Sequence, residues 1–424
     1  MPRKKKLPAW VAVLITGFAL LATTSAFSAS RPKVLHSFRG KDGADPWGGL
    51  IFDAAGNLYG TTSSGGTACG SYGCGTAFEL IPSSDGKWVR QLLHTFRDNG
   101  KDGIGPWASL VFDAAGNLYG TTRYGGSHCR GTGGCGTVFE LMPGPSGKWS
   151  EKVLYSFCAR SQCKDGSSPY ASLVFDASGN IYGTASSGGA HDGGVVFQLS
   201  GEHGKWAEKV LYSFCSRPQC ADGSFPYASL TFDKAANLYG AATTGGTYGF
   251  GAVFELTQNL HGTWTENVLY SFCSTTDCAD GSNPYANVIF DANGNLFGTT
   301  ANGGSAVGGT AFQLVPSANG IWSEEVLYDF SNSGGSFPAS GLVFDKAGNL
   351  YGTTSVGGLV NAGTVFRLSP GRNGRWVHTE LDSLGGNYGS IPYAGVVLDA
   401  AGNLYGTAAE GGVRDLGSVF EIKP

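Results

Sequence analysis

The chain has 424 residues, of which 69 are glycine, 12% are aromatic and only 14% are charged. That balance excludes a helical bundle and a disordered chain, and a formal net charge of −4 without a basic stripe excludes a nucleic-acid-binding surface. The length exceeds that of an ordinary single domain, but a cyclic array of repeats absorbs it, because each unit needs only its neighbours to pack against.

Residues 1–30 read as a separate object. Arg3, Lys4, Lys5 and Lys6 form a basic head, Trp10 to Ala22 an apolar core and Ser25 to Ser30 a small-residue tail, the layout of a secretory signal peptide. The alternative is an uncleaved anchor, for which the apolar run falls short of the roughly 20 residues a span needs. Cleavage within Ala26 to Ser30 removes the four basic residues and takes the net charge from −4 to −8. No cysteine stands there to make a lipoprotein. The mature chain, residues 31–424, is expected to be one domain, secreted or periplasmic, without a transmembrane segment.

The mature chain opens on VLHSF, Val34 to Phe38, and then begins to repeat. The motif DAAGNLYG, Asp53 to Gly60, recurs around Asn57, Asn117, Asn180, Asn237, Asn295, Asn349 and Asn403, at intervals of 54 to 63 residues. In the second copy, Ala108 to Asp113 reads as strand A and Asn117 to Thr122 as strand B. Gly136 to Leu141 reads as strand C and Trp149 to Phe157 as strand D. The strands are apolar on both sides, so each sheet must be covered on both faces.

Between A and B, an aspartate can accept turn N–H groups, Gly116 suits a positive-φ position and Asn117 tolerates the adjoining backbone. Because the aspartate occurs at Asp53, Asp113, Asp176, Asp233, Asp291, Asp345 and Asp399, it reads as a turn former rather than a catalytic group. One carboxylate per turn also supplies too few of the six to eight oxygens that calcium takes.

Four antiparallel strands repeated seven times predict an all-β fold, a seven-bladed β-propeller. The opening strand D lacks its own A, B and C, whereas Ala394 to Asp399, Asn403 to Ala408 and Gly417 to Ile422 form an A, B and C without a D. Together they complete one blade, so the N-terminal strand is expected to close the ring and remove both open edges.

The ten cysteines fall into five local pairs: Cys69 with Cys74, Cys129 with Cys135, Cys158 with Cys163, Cys215 with Cys220, and Cys273 with Cys278. Each pair is expected to form a short disulfide in an exported protein; zinc would instead need two pairs from different repeats to converge.

The motifs NLYGTTxxGG, GTxFEL, Gly-Lys-Trp and VLYSF resemble the GloVer tandem repeat of exported bacterial proteins, over residues 34–422. The resemblance implies export and a repeat fold and supplies no catalytic residues. The chain departs from the pattern in ending at Pro424 straight after a strand, which favours a released or periplasmic protein over an anchored one.

In such a blade the A–B and C–D loops emerge on one face, and the B–C and D–A loops on the other. All the cysteine pairs fall in the second set, so that face is elaborated and stapled, and ligand sites favour such loops. Two residue sets on it are candidates. Asp42, Asp102, Asp165, Asp222 and Asp280, in the D–A sequence D-G-x-x-P, could ring the channel mouth and bind a cation such as calcium, or simply make turns ahead of the prolines. The second set breaks the repeat: Arg123, Tyr124, His128 and Arg130; His191 and Asp192; Tyr248 and Phe250; Glu410, Arg414 and Asp415.

No nucleophile elbow or zinc-protease motif is present. His36 and His94 stand where Tyr155 and Tyr212 do and read as packed residues. Trp88, Trp149, Trp206, Trp264, Trp322 and Trp376 each begin a strand D and read as packing between blades. The sequence predicts a monomeric binding or scaffold propeller for an extracellular glycan or protein, with no catalytic residues, metal or cofactor. The alternative is a hydrolase or lyase of polysaccharides or lactones that uses the unique acidic and histidine residues.

Overall fold

The computed structural model describes residues 32–129, 134–202 and 204–424. The segment 1–30, read as a signal peptide, and Arg130 lie outside them. Among the described residues helix is confined to three-residue 3-10 turns, and no helix is long and apolar enough to cross a membrane. The strands form seven four-stranded sheets, each an antiparallel meander, as the repeat predicts. The second sheet shows the pattern: Val111–Phe112, Leu118–Thr122, Thr137–Pro143 and Trp149–Ser156, taken in order as strands A to D.

Strand A is shorter than its apolar run. Of Ala108 to Asp113 only Val111–Phe112 pairs with strand B. The residues before it are held by the neighbouring blade instead: Thr61 Oγ1 donates to the Ala108 carbonyl at 3.0 Å. The same threonine contact links Thr121 to Ala171, Thr184 to Ala228 and Thr299 to Ser340, each at 3.0 Å.

Strand B is buried along its whole length in every blade, as in Leu118–Thr122. Its central glycine lets strand C close over it. A Cβ on Gly120 would stand 2.6 Å from Phe139 Cζ, and every other blade repeats this glycine under a phenylalanine. Each such ring, fully buried, contributes roughly 1.5–3 kcal/mol by leaving water.

The cores lie between blades rather than within them. Tyr59, Phe96 and Leu93 of the first blade pack with Leu110, Leu118 and Phe139 of the second, and Trp149 closes over them 6.3 Å from the Tyr59 ring. Trp88, Trp264, Trp322 and Trp376 meet the neighbouring blade's aromatic in the same way.

The last blade joins the two ends of the chain. Lys33–Ser37 runs antiparallel to Ser418–Ile422, with Val34 opposite Phe420 and Ser37 opposite Ser418. Thr407 Oγ1 donates to the Gly48 carbonyl at 2.9 Å, so the seventh blade grips the first as the first grips the second. Phe38 is fully buried with Leu58, Phe78, Tyr405 and Val419. The ring is closed by its N-terminal strand.

Candidate functional site

All five expected disulfides are present. Cys69 bonds Cys74 and Cys129 bonds Cys135, each within a B–C loop, and Cys74 and Cys135 are the buried members of those two pairs. In the D–A loops Cys158 bonds Cys163, Cys215 bonds Cys220, and Cys273 bonds Cys278. Each of these three loops folds into a 3-10 turn, Ser161–Cys163, Pro218–Cys220 and Thr276–Cys278, that ends on the second cysteine. Cys163, Cys220 and Cys278 are left-handed there, with φ between 49° and 53°, a conformation that brings the chain back toward the first cysteine of the pair.

The A–B aspartates make turns. Asp113 Oδ1 accepts the N–H groups of Ala115 and Asn117 at 2.9 and 2.8 Å, and its Oδ2 accepts Asn117 Nδ2 at 2.8 Å. The Tyr119 phenol sits 3.1 Å from Asp113 Oδ2 and 2.8 Å from Glu140 Oε1, sharing its one proton between them. Burial first, and then these two carboxylates, hold that phenol protonated.

The D–A aspartates turn back onto their own outer strand and line no part of the axial cavity. Asp165, Asp222 and Asp280 are buried. Their Oδ2 atoms accept the phenols of Tyr155, Tyr212 and Tyr270 at 2.7, 2.7 and 2.8 Å, together with a loop N–H at 2.8–2.9 Å. In Asp42 and Asp102 the partner is an imidazole, His36 Nε2 at 2.9 Å and His94 Nε2 at 3.1 Å. Burial alone would raise these carboxyls, but their hydrogen bonds outweigh it and hold Asp42, Asp222 and Asp280 below the usual range.

What those loops deliver to the axis is the residue after each proline. Trp47, Trp107, Tyr170, Tyr227, Tyr285 and Tyr393 follow Pro46, Pro106, Pro169, Pro226, Pro284 and Pro392, and the sixth blade places Ala339 there. The residue before each proline is left-handed in all seven blades, with φ between 54° and 65°. Ile391 holds that conformation despite its branched side chain, so the loop is over-determined around a costly turn.

The aromatic residues form a chain of ring contacts around the mouth. Trp47 stacks on Trp107 with centroids 4.5 Å apart and lies 4.1 Å from Tyr393. The contacts continue from Trp107 to Tyr170, Tyr227, Tyr285 and Phe337 at 4.8–6.0 Å. The rings are half-buried and enclose a cavity of about 410 Å³. Below it lies a narrower space of about 260 Å³, lined by small and polar residues that include Ser109, Ser172, Ser229 and Asn287.

Arg123 enters this mouth from the second blade's B–C loop. Its guanidinium carbon lies 4.5 Å from the Tyr124 and Tyr170 rings and 4.8 Å from the Trp107 ring. Corresponding positions carry Ser63, Ser186, Thr243, Ala301, Ser355 and Ala409, so among the described residues Arg123 is the one basic side chain lining the mouth. Burial keeps the Tyr170, Tyr227, Tyr285 and Tyr393 phenols neutral, and the Glu410 charge adds to this at Tyr393.

Of the residues singled out from sequence, Arg123 and Tyr124 are therefore at the mouth, and Glu410 is near enough to act on Tyr393. His128, His191 and Arg414 are exposed on the loops, as are Tyr248 and Phe250. Asp192 and Asp415 hold loop turns, accepting the N–H of Gly188 at 3.1 Å and of Gly411 at 2.9 Å. The aromatic ring itself was missed; its signal is the Trp or Tyr directly after the proline of D-G-x-x-P. A separate hollow of about 620 Å³ opens among the A–B turns of the fourth and fifth blades, beside Tyr239 and Trp322.

The fold is shared with a solved structure at low identity. A candidate 6-phosphogluconolactonase of Bacteroides uniformis aligns with a TM-score of 0.50 and 13% identity, over 81% of this chain and 86% of its own. A candidate oxidoreductase (glucose dehydrogenase) of Thermus thermophilus aligns with a TM-score of 0.39 and 15% identity, over 93% and 99%. No curated protein matches the chain. The Gloeobacter/Verrucomicrobia repeat matches residues 22–132, 67–279 and 265–424. With the repeat spanning the ring in this way, the chain belongs to the Gloeobacter/Verrucomicrobia repeat family.

Proposed function

We propose that the protein is an extracytoplasmic binding propeller that holds a glycan in its axial aromatic mouth. The observation that carries the reading is the chain of ring contacts from Tyr393 through Trp47 to Phe337 around one cavity, with Arg123 set into it. Aromatic faces offer flat apolar area at little entropic cost, and neutral phenols with a guanidinium supply hydrogen bonds to hydroxyl or carboxylate groups. The disulfides support an oxidising compartment, where such a ligand would be met.

The test is a glycan array followed by titration of the best hit into Arg123→Ala and Trp107→Ala variants. Each should weaken binding at least about tenfold, the loss of roughly 1.4 kcal/mol expected when one anchor contact goes. Binding that survives both changes but is lost in Trp322→Ala would move the site to the opposite face. An array without hits alongside capture of a protein that both mouth variants release would replace the ligand class and keep the mouth.

A second reading, turnover of a carbohydrate or lactone, rests on Glu410 beside Tyr393. Product formation abolished by Glu410→Gln would favour it.

A further inference from the structure

At four junctions between blades, the glutamate two residues after the outer-strand tryptophan faces the D–A loop of the blade before it. Two junctions show how the fold handles a carboxylate there. Glu208 and Glu266 have side chains only 1% and 0% exposed, and an arginine of the preceding loop meets each one. Arg160 Nη2 lies 2.8 Å from Glu208 Oε2, and Arg217 Nη2 lies 2.7 Å from Glu266 Oε2.

The junction of the first and second blades keeps the glutamate, but Arg97 and Lys101 of its loop are exposed, and among the described residues neither pairs with Glu151. Glu151 Oε1 is buried without a hydrogen-bond partner, as are oxygens of Glu208, Glu266 and Glu324, and its neighbours are Asp102 and, in place of the tyrosine of the next four blades, His94. One ligand atom from each of His94, Asp102 and Glu151 lies within 4.8 Å of the other two. His94 Nε2 already faces Asp102 Oδ2 at 3.1 Å, and its ring is set edge-on against Phe96 at 4.8 Å.

We propose that His94, Asp102 and Glu151 form a binding site for a borderline divalent cation, Zn²⁺ or a close analogue, that clamps the first blade to the second. Charge favours it: a protonated His94 balances only one of two carboxylates, whereas a divalent ion on a neutral imidazole balances both. Donor chemistry favours zinc over calcium, because one imidazole and two carboxylates plus a water complete a tetrahedron, while calcium takes six to eight oxygens. The His94 and Asp102 side chains, 18% and 7% exposed, leave a way in.

The experiment is calorimetric titration of ZnCl₂ into the untagged, disulfide-intact protein, with thermal unfolding alongside. One saturable site and a raised Tm are expected. His94→Tyr, which installs the residue of the next blade, and Glu151→Gln should each weaken binding at least about tenfold while the metal-free Tm stays close to wild type. Glu324→Gln is the control: that glutamate faces Asp280 and Tyr270 at a junction without histidine, and its loss should leave the zinc isotherm unchanged. Absence of saturable heat, binding retained in both His94→Tyr and Glu151→Gln, or Ca²⁺ binding as tight as Zn²⁺ would each overturn the assignment.

Discussion

Every A–B turn is built by one aspartate that accepts backbone N–H groups two and four residues on, and by one residue that must turn left-handed. In six blades that residue is glycine, with φ of 81–88° as at Gly56, and in the fourth it is Ala236 at 66°. An alanine there carries a steric cost of roughly 1–2 kcal/mol, offset in part by the extra freedom glycine would have in the unfolded chain. Ala236→Gly is therefore expected to stabilise the protein by about 0.5–1 kcal/mol, read as a higher denaturant midpoint at unchanged slope. A lower midpoint would mean that the Ala236 methyl is packed rather than strained. This turn was legible in sequence because its donors and acceptors are neighbours along the chain. The D–A aspartates were legible only as turn formers: that Asp165 reaches back ten residues to Tyr155 depends on how the loop folds over its own strand.

At the scale of the element, the outer strand was read from its repeated motif, from the tryptophan to VLYSF, yet it buries a charge in the seam between blades. Glu324 is the extreme case. Burial first, and then Asp280, Glu325 and Asp329, push its carboxyl up to about 8, against about 4.3 in the unfolded chain. Between those values the folded ring holds a proton that the unfolded chain has released. The stabilisation is thus full below about pH 4 and is lost as pH rises through 8. Glu324→Gln keeps the shape without the titration. Its Tm should match wild type below about pH 4 and exceed it by a margin that grows up to about pH 8, and a constant difference across the range would show that Glu324 is solvated in solution. Repetition hid the aromatic mouth at this same scale. A residue kept in nearly every repeat reads as scaffold, but repetition says only that Trp47 and Tyr227 occupy equivalent places; in a ring, equivalent places beside the axis meet.

For the whole molecule, closure decides whether seven weakly self-sufficient sheets become one domain, because each core is shared by two blades and the first and seventh have only each other left. The seam between them carries the threonine contact found at five of the other seams, from Thr407 to Gly48, and a buried Phe38, while a four-rung ladder from Lys33 to Ser37 completes the seventh blade itself. Removing residues 32–38 should expose Ser418–Ile422 as an unpaired edge, empty the space Phe38 fills beside Phe78, and lower stability by several kcal/mol. A Tm unchanged by that deletion would show that the outer strand is not needed to hold the ring. The chain break also lies where the other blades have a C–D turn such as Ser83–Lys87. A permutant that joins residue 424 to residue 32 through a turn of that kind, and opens the chain at the exposed A–B turn around Asn293, keeps every strand pair and every seam. It should melt within a few degrees of the parent, whereas the same opening without the new link leaves two chains, 32–292 and 293–424, that must associate to close the ring and should melt far below. Together the two permutants separate the covalent order of the blades, which the fold does not need, from the closed circle, which it does.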